Sequence, residues 1–221
     1  KKNINRIKPS ATLAINEKSK ELSKKGKKIY RFGFGQSPFP IPEGVVNVLK
    51  KNAYRKDYLP IQGLRDLRVA ISKHLIKKTG VNYSEENIII TPGSKEAMLL
   101  MHVVFNGEIL LPVPSWVSYE PQAFIARNKV HWIKTTRENN WFPKVDDLDK
   151  AVKKLKKKKL ILIINSPNNP SGTICKNLSE IAKAAKKNKI LILSDEIYTD
   201  LTFNKKYTSI SSYYPEGTFI S

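Results

Sequence analysis

Apolar and polar positions alternate along the chain in a way that predicts helices and strands in turn. In residues 64–78, apolar side chains recur at 64, 67, 71, 75 and 76, which is the spacing of an amphipathic helix. The runs LILIIN at 160–165 and ILILS at 190–194 are almost entirely apolar, as is typical of strands covered on both faces. The whole pattern predicts helices at 64–78, 94–105, 120–127, 146–157 and 179–187, and strands at 87–91, 108–111, 130–135, 160–165 and 190–194. This alternation predicts an α/β fold with a largely parallel sheet.

The first 42 residues have a different pattern. A helix is predicted at 16–24, but residues 32–42 read FGFGQSPFPIP and are too rich in Gly and Pro to continue a regular element. We therefore expect an N-terminal arm with an ordered loop at 1–42, followed by the α/β domain at 43–221.

Composition excludes several classes of protein. With 40% hydrophobic and 27% charged residues over 221 positions, the chain has the balance of a globular protein with a real core. It has no apolar run long enough to span a bilayer, and residues 1–9 lack the apolar middle of a secretory signal, so we expect a cytoplasmic protein without membrane contact. One cysteine and three scattered histidines leave no disulfide framework and no metal site to expect.

The net charge of +21 suggests a nucleic-acid partner, but the choice of basic residue weakens that interpretation. Of the 40 Lys and Arg residues only seven are arginines, the residue favoured for bidentate contacts with phosphates and bases. The densest run, KKLKKKK at 153–159, lies where a helix ends, and lysines there complement the helix dipole. We favour a solvated surface and expect no nucleic-acid partner.

Polar groups follow three of the predicted strands. Pro92-Gly93-Ser94-Lys95 follows the first, NSPNNPSG begins at the end of the second, and Asp195-Glu196-Ile197-Tyr198 follows the third. A glycine turn that enters a helix suits a phosphate group, although a simple helix cap has the same pattern. The Asn- and Pro-rich segment could equally be a turn built from turn-forming residues. Because carboxylates at the end of a buried strand need a partner, and ligands bind at the carboxyl ends of parallel strands, the sequence predicts a ligand site there.

Several motifs together resemble the pyridoxal-phosphate-dependent aminotransferases of fold type I, class I/II. They are, in order, PSATLAINEKSKEL, GFGQSPFPIP, DYLPIQGLRDLR, TPGSKEA, LPVPSWVSY, NSPNNPSG and SDEIY. The resemblance implies a three-layer α/β/α large domain with a mostly parallel sheet, which binds pyridoxal 5′-phosphate and is preceded by an N-terminal arm. It implies that residues 43–221 are this domain, incomplete at its C-terminal end, and that the arm's loop lies near the substrate.

The resemblance also implies roles for individual residues. Asp195 would hold the proton on the pyridinium nitrogen, and Tyr198 and Asn169 would hydrogen-bond the 3′-oxygen of the ring. Trp116 would stack on the ring, although an ordinary buried aromatic residue is the simpler interpretation of that position alone. Ser94 and Lys95 would offer backbone N–H groups to the phosphate.

Substrate contacts and a partner subunit follow from the same resemblance. Gly35 would let the arm approach the substrate, which Trp116 and Asn169 would also contact. Tyr58 would reach the phosphate of a neighbouring subunit, which implies a homodimer with shared active sites.

The lysine that forms the Schiff base in this family has no counterpart in the chain. The resemblance places it just after Ser221, and it places the arginine for the substrate carboxylate in a C-terminal small domain that the chain lacks. We therefore expect the chain to be part of a longer polypeptide and to be inactive alone, the alternative being a natural short relative without catalysis.

The expected activity is transfer of an amino group between an amino acid and a 2-oxo acid. Three alternatives stay open. One is another reaction on the same scaffold, such as a C–S or ring-forming lyase. Another is an amino-acid sensor within a transcription factor, and the third is nucleic-acid binding, which has only charge in its favour.

Overall fold

The longest apolar runs form the centre of a five-stranded sheet. In chain order the strands of the computed structural model are β1 (Glu108–Val113), β2 (Val130–Lys134), β3 (Leu160–Asn165), β4 (Leu191–Asp195) and β5 (Thr218–Ile220). They lie in the order β2-β1-β3-β4-β5, and all four pairings are parallel. Every residue of β3 is buried, as its unbroken apolar sequence predicts. The predicted parallel α/β sheet is confirmed.

The structure describes residues 11–30, 32–33, 35, 37–155, 158–203 and 207–221. Parts of the predicted loop at 32–42 and the end of the predicted helix at 146–157 lie outside these residues. The described helices are α1 (Ala11–Lys24), α2 (Glu43–Asn52), α3 (Arg65–Thr79), α4 (Ser94–Val104), α5 (Tyr119–Ile125), α6 (Val145–Lys154) and α7 (Leu178–Lys187). No helix among these residues is long and apolar enough to cross a bilayer.

The two faces of the sheet carry separate apolar cores. On one face Leu162 and Ile192 pack in a cluster with Ile181 of α7 and Leu148 of α6. The opposite face packs against α4 and α5 through Ile109, Leu111, Ile161, Ile163, Leu193, Met98, Tyr119 and Ala123. Successive strand residues point to opposite faces, so continuous apolar strands supply both cores and produce the predicted three layers.

The order of the strands creates a switch point between β1 and β3. From β1 the chain adds β2 on one side, whereas β3, β4 and β5 are added on the other. The ladder between β1 and β3 ends at Leu110 and Leu162, before either strand ends. A small pocket lies there, lined by residues that include Ser115, Tyr119 and Asn165. In open α/β sheets this crevice is the usual place for a ligand.

The strand predicted at 87–91 is wrong. A 3-10 turn at Glu85–Asn87 precedes an extended segment that pairs with none of the described strands. The N–H of Ile90 donates instead to the carbonyl of Gln62 at 2.9 Å, and Ile89 is 62% exposed. Three consecutive isoleucines favour a strand, but a strand also needs a second strand to pair with, and the described residues place none beside this segment.

The other predicted elements are confirmed, with ends shifted by a few residues. Helix α1 begins at Ala11, earlier than the predicted residue 16, and the pattern did not predict α2 or β5. With three residues, β5 is too short for its periodicity to be recognised.

The chain divides into two compact units, Lys1–Tyr58 and Leu59–Ser221, and each is described by itself. In the first unit α2 buries none of its residues. The second unit contains the whole sheet. The division at residue 42 that the sequence indicates stays a prediction.

Candidate active site

The side chain of Asp195 lies buried at the carboxyl end of β4, next to the switch point. Only 4% of the residue is exposed. Its Oδ2 accepts a hydrogen bond from the Tyr119 hydroxyl at 2.7 Å, and its Oδ1 accepts the Ile197 backbone N–H at 3.3 Å. Burial raises the pKa of the Asp195 carboxyl, and these two donors oppose that effect only in part.

No lysine, arginine or histidine in the described residues forms an ion pair with Asp195. A buried carboxylate held only by neutral donors is costly, because a nearby cation is what normally offsets the loss of hydration. The arrangement therefore suits a ligand that brings a cationic N–H group to this carboxylate.

Tyr119 links Asp195 to Trp116. The tyrosine is the first residue of α5 and is 1% exposed. Its ring meets the Trp116 ring edge to face, with centroids 5.4 Å apart and planes at 76°. Burial and then the neighbouring Asp195 charge hold the pKa of the Tyr119 hydroxyl far above its ordinary value, so it stays protonated and remains a donor.

Tyr119 is not among the site residues that the sequence predicts. Its only signal was its place in the PSWVSY segment, three residues after the tryptophan that was selected.

Lys95 and Trp116 form the next part of the site. The Lys95 ammonium lies 5.5 Å from the centroid of the Trp116 ring, within the range of a cation–π contact. Gln122 of α5 donates from Nε2 to the Lys95 carbonyl at 2.7 Å, which ties the beginning of α4 to α5. A positive side chain thus lies beside the indole that was predicted to stack on a cofactor.

Helix α4 begins at the glycine turn where the sequence predicts a phosphate site. Gly93 caps the helix with a φ of +95°, a conformation that residues with a side chain rarely adopt, and Ser94 is the first helical residue. Free N–H groups in the first turn of a helix and the positive end of its dipole favour an anion. Ser94 and Lys95 lie in this turn.

Amide groups connect the ends of β3 and β4. The Asn165 side chain donates from Nδ2 to the Asp195 carbonyl at 3.0 Å and accepts the Asn169 backbone N–H at 2.7 Å. The Asn169 side chain donates in turn to the Tyr198 hydroxyl at 3.3 Å. The structure thus brings Asn169 and Tyr198 together, and Asn165, which the sequence did not single out, connects Asn169 to the Asp195 backbone.

Glu196, which neighbours Asp195, has a structural environment of its own. Its carboxylate accepts hydrogen bonds from the hydroxyls of Ser194 at 2.9 Å and Ser209 at 2.6 Å. Burial raises the pKa of the Glu196 carboxyl, and these hydroxyls oppose the effect. The two adjacent carboxylates therefore have separate surroundings, and Asp195 is the one hydrogen-bonded to Tyr119.

The two remaining predicted site residues, Gly35 and Tyr58, belong to the first unit. Both are exposed there. Their predicted contacts with substrate and with a neighbouring subunit stay predictions.

The structure is a doubly wound α/β fold. At the carboxyl edge of its parallel sheet lie a free helix start, an indole ring and a buried carboxylate that has no cationic partner among the described residues. The model of the aminotransferase class I and II family matches residues 27–218, and the chain belongs to this family. Pyridoxal 5′-phosphate is the cofactor of the family, and its phosphate, aromatic ring and ring nitrogen match those three features.

Individual relatives agree with this assignment. The chain is 32% identical over 218 residues to an aspartate aminotransferase of Bacillus subtilis, covering 95% of this chain and 55% of the relative. It is 35% identical over 211 residues to an aspartate aminotransferase of Bacillus sp. (strain YM-2), covering 90% and 53%. The structure of the Thermus thermophilus aspartate aminotransferase with maleate superimposes with a TM-score of 0.91 at 28% identity, covering all of this chain and 59% of that one. The chain thus spans a little over half the length of these relatives.

Proposed function

We propose that the protein containing this chain transfers an amino group between an amino acid and a 2-oxo acid with the help of pyridoxal 5′-phosphate. The observation that carries the proposal is the buried Asp195 carboxylate, which has two neutral donors and no cationic partner in the described residues. When bound, the cofactor withdraws electrons from the substrate carbon that bears the amino group. The relatives named aspartate aminotransferase favour an acidic amino acid as one substrate.

Asp195 keeps a proton on the ring nitrogen of the cofactor in this proposal. A carboxylate can balance the charge of a protonated nitrogen, whereas a neutral acceptor would hold that proton weakly. Because the carboxylate is shielded from water, its electrostatic effect on the ring is much stronger than that of an exposed acid.

The other described residues hold and orient the cofactor. Trp116 would stack on the ring, and Asn169 and Tyr198 would hydrogen-bond the 3′-oxygen. Their mutual hydrogen bond of 3.3 Å supports a common partner for these two side chains. Ser94 and the backbone of Lys95 bind the phosphate at the beginning of α4, and the Lys95 ammonium beside Trp116 favours a negatively charged substrate group.

The position of Ser221 supports a lysine in the continuing polypeptide as the anchor of the cofactor. The Ser221 carbonyl accepts the Glu196 N–H at 2.9 Å, and the Ser221 N–H donates to Ser194 at 3.0 Å. Ser221 therefore lies beside the end of β4, next to Asp195, so residues that follow it would enter the site directly. In this proposal that lysine binds the cofactor and moves the substrate proton.

We propose a cytoplasmic homodimer as the setting of the reaction. Gly35, in the arm at residues 1–42, would contact the substrate, and Tyr58 would bind the phosphate of the partner subunit. Residues 43–221 would form the cofactor-binding domain. The support for these statements is the resemblance of the motifs to those of the family.

Incubation of the intact protein with pyridoxal phosphate tests the proposal. After removal of free cofactor we expect a visible absorption band, which disappears on addition of aspartate and returns on addition of a 2-oxo acid. A folded protein that stays colourless would contradict cofactor binding. A band that does not respond to a panel of amino acids would contradict amino-group transfer but would leave cofactor binding intact.

A further inference from the structure

We propose that Tyr119 is a positioning residue whose hydroxyl keeps the Asp195 carboxylate ionised and oriented, and thereby keeps the shared proton on the ring nitrogen of the cofactor. The proposal rests on the proposed function, which assigns that nitrogen to Asp195. The observation behind it is the 2.7 Å hydrogen bond between two side chains that are 1% and 4% exposed.

The two hydrogen-bond donors to the Asp195 carboxylate come from different parts of the fold, and only one of them can hold the carboxylate against a separate element. The Ile197 N–H belongs to the same segment as Asp195, two residues further on, and binds Oδ1 at 3.3 Å. The Tyr119 hydroxyl comes from α5, 76 residues away in sequence, and binds Oδ2 at the shorter distance. Tyr119 is therefore the donor that holds the carboxylate against a separate element, and among the described residues it is the only side chain that does so.

Tyr119 is itself held in place. It lies in the first turn of α5, where its N–H donates to the Trp116 carbonyl at 3.3 Å. Its ring packs in the apolar core between that helix and the sheet and meets the Trp116 ring edge to face. A phenol fixed in this way acts as a preorganised donor, which loses little entropy when it binds the carboxylate.

The hydroxyl also determines which partner keeps the proton. A buried carboxylate and a ring nitrogen can share one proton as an ion pair or as a neutral pair, and burial alone favours the neutral pair. A hydrogen bond donated to the carboxylate stabilises its charged form and hence the ion pair. The other titratable groups near this pair are Tyr198, which follows β4, Glu196, which is bound by serines, and Lys95 at Trp116.

The replacement Tyr119→Phe separates this role from packing. Phenylalanine keeps the ring against Trp116 and the core, and it removes only the hydroxyl. The matched control is Tyr214→Phe, which removes a hydroxyl from another buried tyrosine, in the core on the opposite face of the sheet. Both variants are made in the full-length protein.

The first measurement is a carboxyl ¹³C NMR titration of the cofactor-free protein, with the Asp195 signal assigned by its loss in Asp195→Asn. In Tyr119→Phe we expect the pKa of Asp195 to rise by about one unit, a tenfold increase in proton affinity. In Tyr214→Phe the pKa of Asp195 should be the same as in the parent protein. An Asp195 pKa in Tyr119→Phe within about 0.3 unit of the parent would overturn the proposal.

The second measurement uses the loaded enzyme. We expect the pH dependence of the visible band to shift in Tyr119→Phe, and kcat to fall about 3- to 10-fold while KM changes less than about twofold, since the hydroxyl does not contact substrate. A rise in KM at constant kcat and an unshifted band would contradict the proposal. If the parent binds no cofactor, the proposed function fails, whereas the cofactor-free titration still decides whether Tyr119 controls Asp195.

Discussion

Two adjacent residues, Asp195 and Glu196, show how local surroundings give similar carboxylates different tasks. Both are buried, and burial raises the pKa of each. Serine hydroxyls bind Glu196, whereas a phenol and a backbone N–H bind Asp195, which lies at the end of the strand beside the switch point. Strand alternation sends the two side chains to different neighbours, so only Asp195 meets Tyr119.

Replacement of Asp195 tests its assigned task. In Asp195→Ala we expect kcat for amino-group transfer to fall by at least about 10³-fold, or about 4 kcal/mol, because the charge that holds the ring proton is removed. The fold should persist, since the change affects one side chain at the sheet edge. Steady-state kinetics together with circular dichroism measure both effects.

Asp200→Ala is the matched control for this prediction. Asp200 follows the same strand but has an exposed side chain, which pairs with Lys78 at 3.1 Å. Surface ion pairs of this kind contribute little, so the control should keep nearly full activity. Turnover of Asp195→Ala within tenfold of the parent would show that the assignment is wrong.

The residues that sequence reasoning found and those it missed differ in a physical way. Asp195, Asn169 and Tyr198 lie in short motifs where apolar strands end. The rule that ligands bind at strand ends indicated these segments, and the resemblance to the aminotransferases implied the roles of the individual residues. Tyr119 matters because it meets a side chain 76 residues away, and no local pattern records such a contact. Local motifs therefore indicate residues at strand ends, whereas a contact between distant residues, such as that of Tyr119 with Asp195, is visible only in the structure.

At the scale of elements, burial on both faces is what made the strands predictable. The continuous apolar runs at 160–165 and 190–194 became β3 and β4 because helices cover both sides of the sheet. The equally apolar residues 88–90 did not become a strand, since their backbone groups have no neighbouring strand in the described residues. Apolar sequence specifies burial, whereas strand pairing depends on distant parts of the chain.

The Glu196 carboxylate connects β4 to the turn at residues 209–212 through hydrogen bonds with serine hydroxyls. Its ionisation should make the stability of the fold depend on pH. Its pKa is raised above the unfolded value of about 4.3. Between the pKa of Glu196 in the unfolded state and its higher pKa in the folded state, the folded state binds more protons than the unfolded state. The free energy of unfolding therefore falls as pH rises through that window, by about 1.4 kcal/mol for each pH unit.

The variant Glu196→Gln should remove this dependence. Glutamine does not titrate, and its amide oxygen can still accept from Ser194 and Ser209. We expect its unfolding free energy relative to the parent to increase as pH rises above the pKa of an unfolded glutamate, as measured by denaturant unfolding of the full-length protein. The exposed Glu216, changed to Gln, is the control and should show no such increase. If the difference in unfolding free energy between Glu196→Gln and the parent does not vary with pH, the prediction is refuted.

At the scale of the whole molecule, the order of the strands explains why residues from distant motifs form one site. The switch between β1 and β3 lies at the carboxyl edge of the sheet, where Trp116 follows β1, Asn169 follows β3 and Asp195 ends β4. The sequence predicted a parallel sheet, but strand order depends on how crossovers pack, and local periodicity does not encode it.

We infer that this carboxyl edge binds pyridoxal phosphate and that the anchoring lysine follows Ser221. Borohydride reduction of the intact protein with bound cofactor, followed by peptide mapping by mass spectrometry, tests it most directly. Reduction makes the link between the cofactor and its lysine permanent. We predict a single pyridoxyl-modified lysine within about ten residues after Ser221, and none at Lys95 or at any other lysine of residues 1–221. Modification of Lys95 alone, or of scattered surface lysines in place of one site, would contradict the account.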